Sequence, residues 1–440
     1  MSDKRSELNE LSAKLHRFYR GKIQVAPKVP VKDRTDFSVW YTPGVAEPCR
    51  HIEREPDLSF ELTNRGNTIA VVSDGTRVLG LGDIGPLAAM PVMEGKALLF
   101  KALGGVDAVP ICLNETDPDR FIEIVKALQP SFGGINLEDI AQPKCFYILE
   151  RLRKEMDIPV WHDDQQGTAA VTVAGLINAS RVVGKPLEDM RITMLGAGAA
   201  STATLRILLL AGVKPENVVI VDYYGIIPKD VDELRERYPY RHELFAMTNG
   251  RGISGGMEEA LRGADAVIAY TAQPGLLKPE HIKLMADDPI VFAGSNPVPE
   301  IWPEDATAAG ARIVATGRSD FPNQINNSLG FPGIFRGTLD VRARTITDEM
   351  CLEAARALAD FAASRGLDEE HIVPTMDQPE VFIEEAVRVG LKAIEQGIAR
   401  RELSEAELRT MAESHIRAAK KLSETLLENG LITDWGDVEQ

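Results

Sequence analysis

The sequence predicts an α/β protein with two α/β domains and a helical C-terminal segment. From about Thr68 to about Arg342, short apolar runs typical of strands alternate with longer helical patterns. This alternation favours largely parallel sheets connected by right-handed crossovers. After about Arg342 the pattern is helical to the end. We predict domains over residues 1–164 and 165–342, followed by the helical segment over residues 343–440.

The composition is that of a globular protein and argues against several classes. A length of 440 residues allows two or three domains at roughly 150 residues each. The 49 Lys and Arg against 66 Asp and Glu give a net charge of −17, whereas nucleic-acid binding needs a basic surface. The four cysteines have no CxxC spacing, and no apolar run has the length of a membrane span or the place of a signal peptide. We therefore expect a cytoplasmic protein that binds neither nucleic acid nor membrane.

The elements of the first domain follow from the apolar pattern. IAVVSDGTRVLGLGD indicates two strands around an Asp74-Gly75 turn, and PVMEGKALLFKALGG indicates a helix. Three further strands are predicted in DAVPICLN, FGGINLED and IPVWHDD, with the helices DPDRFIEIVKAL and CFYILERLRKEM between them. GTAAVTVAGLINASRVVG is apolar on nearly every side, which predicts a buried helix that links the two domains.

The second domain carries a glycine-rich turn typical of dinucleotide binding. Its strand-like segments are RITMLGAG, VVIVDYY, ADAVIAYTA, PIVFAGSNP and RIVATGRSD. The first runs into a turn before a helical pattern, with Gly196, Gly198, Ala199 and Ser201. Such a turn lets a pyrophosphate approach the positive end of the helix. Asp222 ends the next strand, where a carboxylate can accept from a ribose 2′-hydroxyl. This order predicts a Rossmann-type domain.

The residues after Asp222 favour NAD over NADP. A 2′-phosphate would bring like charge against this carboxylate, and accommodating it normally takes a nearby Arg. Tyr223, Tyr224 and Gly225 follow, and the first basic residue is Lys229. We therefore predict that NAD is preferred, and that NADP is possible only if a remote basic group folds back.

Two strands of the first domain end in acidic pairs, Glu138-Asp139 and Asp163-Asp164. One helix separates the strands, so their carboxyl ends should meet at the same edge of a parallel sheet. Carboxylates brought this close repel one another unless they are protonated or neutralised by a cation. Oxygen ligands suit Mg²⁺ or Mn²⁺. The pattern predicts a divalent-metal site, and a pair of helix N-caps is the alternative.

Two further side chains, Lys96 and Tyr41, allow two readings each, and His162 is interpreted in one way. Lys96, in an apolar helix, is either a snorkelling surface residue or a buried base whose pKa is lowered by a nearby cation. Tyr41, before a Pro-Gly turn, is either a packed aromatic or a proton donor. His162 should lie on the strand face opposite Asp163, and we interpret it as structural.

Taken together, these motifs resemble the malic enzymes of the short prokaryotic type. The resemblance runs from about Gly21 to Arg344 in YTPGVAEPC, SDGTRVLGLGDIGPLAAMPVMEGKALLFK, FGGINLEDI, HDDQQGTA, SNPVPE and RSDFPNQINNSLGFPGIFRG. It implies oxidative decarboxylation of L-malate to pyruvate and CO₂, with reduction of NAD or NADP and a requirement for Mg²⁺ or Mn²⁺. It also implies a homodimer as the minimal unit. Gln166 departs from the histidine usual in short members.

The resemblance also implies roles for single residues. Its metal ligands correspond to Glu138, Asp139 and Asp164. Its catalytic residues correspond to Tyr41, Lys96 and Asp163. Its substrate-binding residues correspond to Arg77, Asn296 and Asn327, with Asn296 also bordering the nucleotide.

Three other functions compete with this one. A malolactic-type enzyme, which converts malate to lactate, shares the fold and stays open. A catalytically silent malate or nucleotide sensor would not need the pair Tyr41 and Lys96 or the carboxylates. A plain hydroxyacid dehydrogenase would not need a carboxylate cluster, because hydride transfer alone requires no divalent metal.

Overall fold

Two sheets organise the computed structural model, which describes residues 2–318 and 320–439. The first sheet is entirely parallel, with the order β2-β1-β3-β4. Its strands are β1 (Thr68–Ser73), β2 (Asp107–Cys112), β3 (Gly134–Leu137) and β4 (Val160–His162). The helices of this half are α1 (Ser2–Tyr19), α2 (Arg34–Trp40), α3 (Ala46–Arg54), α4 (Ser59–Leu62), α5 (Gly85–Gly104), α6 (Pro118–Leu128) and α7 (Lys144–Glu155).

The predicted hairpin at Asp74-Gly75 is wrong. Strand β1 ends at Ser73 and pairs with β2 on one side and β3 on the other, so neither edge is left for a returning strand. The chain instead forms a loop that turns back to the start of α5. Gly75 has a φ of +70°, and a Cβ there would lie 2.4 Å from the carbonyl of Gly85. A glycine is therefore required where the loop crosses α5.

The second sheet has six strands in the order β10-β9-β8-β5-β6-β7. All neighbours are parallel except β7, which is antiparallel to β6. The strands are β5 (Ile192–Leu195), β6 (Val218–Asp222), β7 (Gly225–Ile226), β8 (Ala266–Ala269), β9 (Ile290–Ala293) and β10 (Ile313–Thr316). The helices around them are α9 (Ala199–Leu210), α10 (Val231–Arg237), α11 (His242–Ala246), α12 (Met257–Leu261), α13 (Pro279–Ile282) and α14 (Pro303–Ala308).

The strand order reverses at β5, whose two neighbours are β6 and β8. In open α/β sheets, ligands bind in the crevice that such a reversal leaves at the carboxyl ends of the strands. The five predicted strands of this half are all present. The fold class predicted from the alternating pattern is confirmed.

Helix α8 (Asp163–Val183) connects the two sheets. It begins directly after β4 and is buried over most of its length, as its apolar composition predicts. It packs against α9 of the second half and against the C-terminal helix α16 (Asp348–Arg365). Gly184, with a φ of +67°, ends it in the left-handed conformation typical of a helix C-terminus. The first and second sheets are therefore joined by a rigid buried element.

The C-terminal helices are α15 (Phe331–Asp340), α16 (Asp348–Arg365), α17 (Pro379–Glu395), α18 (Glu405–Glu428) and α19 (Trp435–Glu439). A capping box of Ser404 and Glu407 starts α18, which stabilises its first turn. Helices α15, α17 and α18 pack against α5, whereas α16 packs against α8. The segment thus contacts both halves. In the described ranges, no helix is both long enough and apolar enough to cross a membrane.

Candidate active site

A cavity of about 980 Å³ lies where the carboxyl ends of the two sheets face each other. From the first half it is lined by Arg77, Lys96, Glu138, Asp139 and Asp164, and from the second by Gly196, Gly198, Ala199, Asp222, Asn296 and Asn327. These residues come from widely separated motifs. The fold therefore brings most of the residues singled out from the sequence to one place.

Three carboxylates form a cluster at the edge of the first sheet. One oxygen each of Glu138, Asp139 and Asp164 lies within 4.8 Å of the others. The parallel pairing of Leu137 with His162 accounts for this, because the acidic pairs follow these two residues directly. Asp139 adopts a φ of +55°, and its backbone N–H donates to Asp164 Oδ2 at 2.9 Å.

Negative charge on the three carboxyl groups is unfavourable, because Glu138 and Asp139 are buried and all three groups lie close to one another. Burial raises the pKa of Asp139 to about 8, and the neighbouring Asp164 carboxylate adds to the rise. Burial likewise raises the pKa of Glu138 well above its ordinary value. The Oδ2 atom of Asp139 is buried and has no hydrogen-bond partner in the described part of the chain. Closely spaced oxygens with an unused lone pair fit a hard divalent cation.

Lys96 is buried beside the cluster, so the snorkelling alternative is wrong. Its Nζ lies 2.5 Å from Asp163 Oδ2 and 3.1 Å from Glu138 Oε1, and 4.4 Å from the ring centroid of Phe331. Burial alone would lower the pKa of Lys96, but the charges of Asp163 and Glu138 outweigh it and raise that pKa. The lowered pKa of Lys96 that a nearby cation would cause is therefore absent while carboxylates are the only charges beside it.

Asp163 lies behind Lys96 and does not line the cavity. It is fully buried and accepts from Trp161 Nε1 at 3.2 Å as well as from Lys96. His162 is also fully buried, with its Nδ1 3.7 Å from Asp164 Oδ2. Gln166 accepts from the His162 backbone N–H at 3.2 Å. The carboxylate cluster is therefore supported from the buried side by Asp163, His162 and Gln166.

Tyr41 lies apart from the cavity. Its residue is 69% exposed, and it does not line the cavity that contains Lys96. It belongs to an exposed group that we call the N-terminal apolar patch, formed by Val31, Phe37, Val39, Trp40 and Tyr41. In the single chain, Tyr41 is therefore neither a packed aromatic nor a proton donor beside Lys96.

The glycine turn forms the floor of the nucleotide half. Gly196 has a φ of +98°, and a Cβ there would lie 2.8 Å from the Tyr270 carbonyl oxygen. A Cβ at Gly198 would meet only Gln142 Oε1, at 3.8 Å. The turn is thus closed on the protein side and open toward the cavity. Ser201 does not reach the cavity because it faces the packed side of α9, where it is 2% exposed.

Asp222 ends β6 at the cavity, as predicted. Its carboxylate accepts from the Tyr224 backbone N–H at 2.7 Å and from the Tyr238 hydroxyl. Burial raises its pKa, while the charges of Arg237 and Arg241 oppose this rise. The remote basic group that the NADP alternative requires is present, because Arg241 lines the same cavity as Asp222.

The predicted substrate amides line the second half of the cavity, whereas the predicted arginine lies beside the carboxylate cluster. Asn296 Nδ2 donates to the Gly317 carbonyl at 3.2 Å. The Arg77 backbone N–H donates to the Asp139 carbonyl at 3.1 Å, which fixes this arginine next to the cluster. Asn327 begins a short 3₁₀ helix in the second half of the cavity. Each of the three can therefore contact a small molecule bound at the carboxylates.

Sequence reasoning missed three residues: Arg241 and Tyr270, which line the cavity, and Glu300, which hydrogen-bonds to the cavity-lining Thr271 and Ser295. Tyr270 follows β8, and its hydroxyl hydrogen-bonds to Thr172 of α8. Glu300 is fully buried and accepts from Thr271 N, Thr271 Oγ1, Ser295 N and Ser295 Oγ at 2.5 to 3.2 Å. It ties together the loops that follow β8 and β9. Glu300 ends the SNPVPE motif, but nothing in that motif indicates that its side chain joins two loops, and Arg241 and Tyr270 belong to no motif. Only the fold reveals the positions of the three side chains.

Comparison with known proteins identifies the family. Residues 20–153 match the malic enzyme N-terminal domain, and residues 165–395 match the malic enzyme NAD binding domain. An NAD-dependent malic enzyme of Geobacillus stearothermophilus is 53% identical, over 87% of this chain and 78% of that protein. A bifunctional malic/malolactic enzyme of Bacillus subtilis is 47% identical, over 89% of this chain and 95% of that protein.

Two more comparisons agree. An NADP-dependent malic enzyme of Haemophilus influenzae is 44% identical, over 90% of this chain and 54% of that protein. The crystal structure of malic enzyme from Pyrococcus horikoshii is 55% identical, with a TM-score of 0.89, and the match covers 92% of this chain and 94% of that one. The resemblance seen in the motifs is thereby confirmed, and the chain belongs to the malic enzyme family.

Proposed function

We propose that this protein catalyses the oxidative decarboxylation of L-malate to pyruvate and CO₂ with NAD or NADP, and that it requires Mg²⁺ or Mn²⁺. One observation carries the proposal. A carboxylate cluster with a buried lysine and a glycine turn for a dinucleotide line the same cavity. Oxidation and decarboxylation need these two groups of residues on opposite sides of one small substrate.

The residues proposed to hold the cation are Glu138, Asp139 and Asp164. Their three oxygens lie within 4.8 Å of one another, and Asp139 Oδ2 is unpartnered among the described residues. A divalent cation held there supplies a positive charge that draws electrons toward the substrate oxygen as CO₂ leaves. The charge also offsets the mutual repulsion of the ligands.

The chain's own residues are proposed to handle the protons and orient the substrate. Lys96 exchanges a proton with the C2 hydroxyl oxygen of malate, and Asp163 positions its ammonium group through the 2.5 Å contact. The two carboxylates of malate are bound by Arg77, Asn296 and Asn327. This binding holds the C2 hydrogen of malate toward the nucleotide half of the cavity. The glycine turn and Asp222 bind the dinucleotide, which accepts the hydride.

Tyr41 is proposed to deliver a proton to C3 from a second copy of the chain. Within one chain Tyr41 is exposed and does not line the cavity that contains Lys96, which argues against that role in its own cavity. The N-terminal apolar patch supports a homodimer, because it concentrates several exposed large apolar side chains in the segment from Val31 to Tyr41, whereas exposed apolar residues scattered singly are common. We therefore keep the homodimer as the minimal unit and place Tyr41 in the partner's cavity.

Two further proposals concern organisation and compartment. The junction of β4 and α8 supports a first domain that ends at about residue 164, with boundaries at 1–164, 165–342 and 343–440. All four cysteines are free thiols, which supports a reducing compartment such as the cytoplasm.

A malolactic activity is the second candidate. One relative, at 47% identity, carries the name of a bifunctional malic/malolactic enzyme. The two activities differ in product, since malolactic turnover gives lactate without net release of reduced cofactor.

The test is to treat the protein with a chelator and incubate it with malate and NAD or NADP, with and without added Mn²⁺. We expect reduced nicotinamide and pyruvate only with the cation. Undiminished turnover after chelation would refute the metal requirement, and lactate as the sole product would favour the second candidate. Failure to consume malate under any condition would overturn the proposal.

A variant pair sharpens the test. Asp164→Asn should weaken Mn²⁺ affinity by at least the roughly 10- to 100-fold that loss of an outer-shell partner costs. Asp232→Asn changes a carboxylate that is 92% exposed, far from the cluster, and should leave affinity unchanged. Equal Mn²⁺ affinity in both variants would exclude Asp164 as a ligand.

A further inference from the structure

Arg241 is a buried cation in the nucleotide half of the cavity. Its residue is only 8% exposed, and it lines the same cavity as Asp222 and the glycine turn. Its Nη1 donates to the carbonyl of Ala197, which lies between the two glycines, and to Gln142 Oε1 at 3.3 Å. The guanidinium therefore lies directly on the turn where a dinucleotide binds.

Aromatic rings hold this side chain in place. The centroids of Phe146, Tyr238 and Phe245 lie 4.7, 5.2 and 5.7 Å from its Cζ atom. Cation–π contacts of this kind stabilise a guanidinium away from water. Arg241 is thus fixed at the turn and is not a mobile surface residue.

Much of its hydrogen-bonding capacity is unused. A guanidinium has five N–H donors, and in the described ranges only Nη1 makes hydrogen bonds while the buried Nε has no partner. Burial lowers the pKa of Arg241 to about 10, so the group stays charged at neutral pH. A buried charge with free donors at a nucleotide turn points to an anionic ligand.

Asp222 lies close enough to Arg241 for the two opposite charges to act together on the choice between NAD and NADP. Tyr238 donates its hydroxyl to Asp222 Oδ2, while its ring contacts Arg241. One tyrosine therefore separates the carboxylate suited to a ribose hydroxyl from the cation suited to a phosphate. Arg237 also lies near, but its charge is paired with Glu233 at 2.6 Å.

We propose that Arg241 binds the 2′-phosphate of NADP and offsets the charge of Asp222, so that this enzyme uses NADP as well as NAD. The proposal rests on the proposed function and defines its cofactor range. Arginine is suited to this task because its planar fork binds phosphate through paired hydrogen bonds. A chain with Asp222 alone would repel the same phosphate.

The test compares two fragments that differ only in the 2′-phosphate, adenosine 2′,5′-bisphosphate and 5′-AMP, by calorimetry without malate or metal. In Arg241→Gln we expect affinity for the bisphosphate to fall by about tenfold or more, the loss of one charged hydrogen bond. Affinity for 5′-AMP should change by less than about threefold. Arg237→Gln is the matched control and should leave the ratio of the two affinities unchanged.

The outcomes are separable. Equal losses for both fragments would leave the ratio of the two affinities unchanged and would mean that Arg241 only supports the turn or the 5′-phosphate end. No loss for either fragment would mean that Arg241 does not contact the 2′-phosphate, and either result overturns the proposal. If Arg241→Gln does not fold, Arg241→Lys replaces it in the test. This variant keeps the positive charge but not the planar fork of the guanidinium, so it should lose part of the preference for the bisphosphate over 5′-AMP. In the wild-type background, Asp222→Asn should raise affinity for the bisphosphate. Because no turnover is involved, these results do not depend on whether malate is decarboxylated.

Discussion

The ammonium group of Lys96 joins three parts of the molecule at one point. It contacts Asp163 at the start of α8, Glu138 after β3 and the ring of Phe331 on α15. The three contacts come from elements that pack independently of the substrate. This lysine is therefore held in place before any ligand binds, which would keep the cost of orienting it low in the proposed proton transfer.

Lys96→Ala should lose both malate oxidation and decarboxylation of added oxaloacetate. A positioned proton-transfer group contributes about 10²- to 10⁴-fold, so kcat should fall by that range. The control is Lys101→Ala on the same helix, whose partner Asp107 lies at 2.7 Å outside the cavity. A loss of less than about tenfold in Lys96→Ala would contradict the role.

Glu385 is a second buried charge, in a different setting. It is fully buried on α17, and neither carboxylate oxygen has a hydrogen-bond partner in the described part of the chain. Burial raises its pKa well above the ordinary value. The folded state therefore binds this proton more tightly than the unfolded state, and stability falls as the pH rises above the ordinary pKa of glutamate.

Glu385→Met should remove this penalty. At pH 8 the free energy of unfolding should increase by about 1–3 kcal/mol, the cost of an unpaired buried polar group, and the gain should be smaller at pH 5. Urea titrations at both pH values measure the difference. Glu384→Met, next to it on α17 and paired with Arg409, is the control. An equal gain at both pH values would show that Glu385 is not the titrating group.

At the scale of elements, the strand ends build the site. Glu138 and Asp139 follow β3, Asp222 ends β6, and Thr271 and Ser295 belong to the loops after β8 and β9. Glu300 fastens these last two loops with four hydrogen bonds. Because Asn296 follows Ser295, the position of this proposed substrate-binding amide depends on the hydrogen bonds of Glu300.

Glu300→Gln should loosen both loops. The amide replaces one acceptor oxygen with an N–H group that faces the donors of Ser295 or Thr271, so the free energy of unfolding should fall by about 1.5–3 kcal/mol. The KM for malate should rise, because Asn296 loses its fixed position. Glu304→Gln, an exposed residue in the next helix, should change neither. A loss of stability with an unchanged KM would show that Glu300 does not position the substrate.

The sequence allowed most of the elements to be predicted because each is short and its apolar period is clear. Both acidic pairs were predicted to meet, since parallel strands end at one edge. The hairpin at Asp74-Gly75 failed because local turn chemistry cannot show that β2 and β3 occupy both edges of β1. Pairing partners distant in sequence decide such a case.

The site was predictable only where a motif marks it. For the glycine turn and the acidic pairs, the spacing of the residues along the sequence is enough to indicate their chemistry. Arg241 lies between the short helices α10 and α11, with no pattern that points to the glycine turn, and Ser201 follows the motif but turns into the core. Side chains that reach a cavity from a loop depend on tertiary packing, which local spacing does not encode.

At the scale of the whole molecule, the N-terminal apolar patch is unusual. Phe37, Val39, Trp40 and Tyr41 are each between 47% and 69% exposed. A monomer would leave all four in water. A two-fold dimer would bury the patch and carry each Tyr41 toward the other copy.

Mixing two inactive variants tests this arrangement. We expect a dimeric mass by light scattering, and low activity for Tyr41→Phe and for Lys96→Ala alone. When the two are coexpressed, half the dimers should be mixed, each with one cavity that has both residues. Activity should then recover to about a quarter of the wild-type value, as two-fold symmetry requires. A monomeric mass, or no recovery in proven mixed dimers, would contradict the trans role of Tyr41.

Helix α8 carries a further consequence. Asp164, Thr168 and Thr172 stand at every fourth position along it; the first two line the cavity, and the third holds Tyr270. The stripe spans about 12 Å at 1.5 Å per residue. One residue inserted between Thr168 and Thr172 would turn everything beyond it by about 100°, and Thr172 would face away from Tyr270 although both sheets stayed intact. The number of residues in α8 therefore fixes how Asp164 and Thr168 at the cavity are oriented relative to the contact of Thr172 with Tyr270, so the length of this helix sets the relation between the two halves of the cavity.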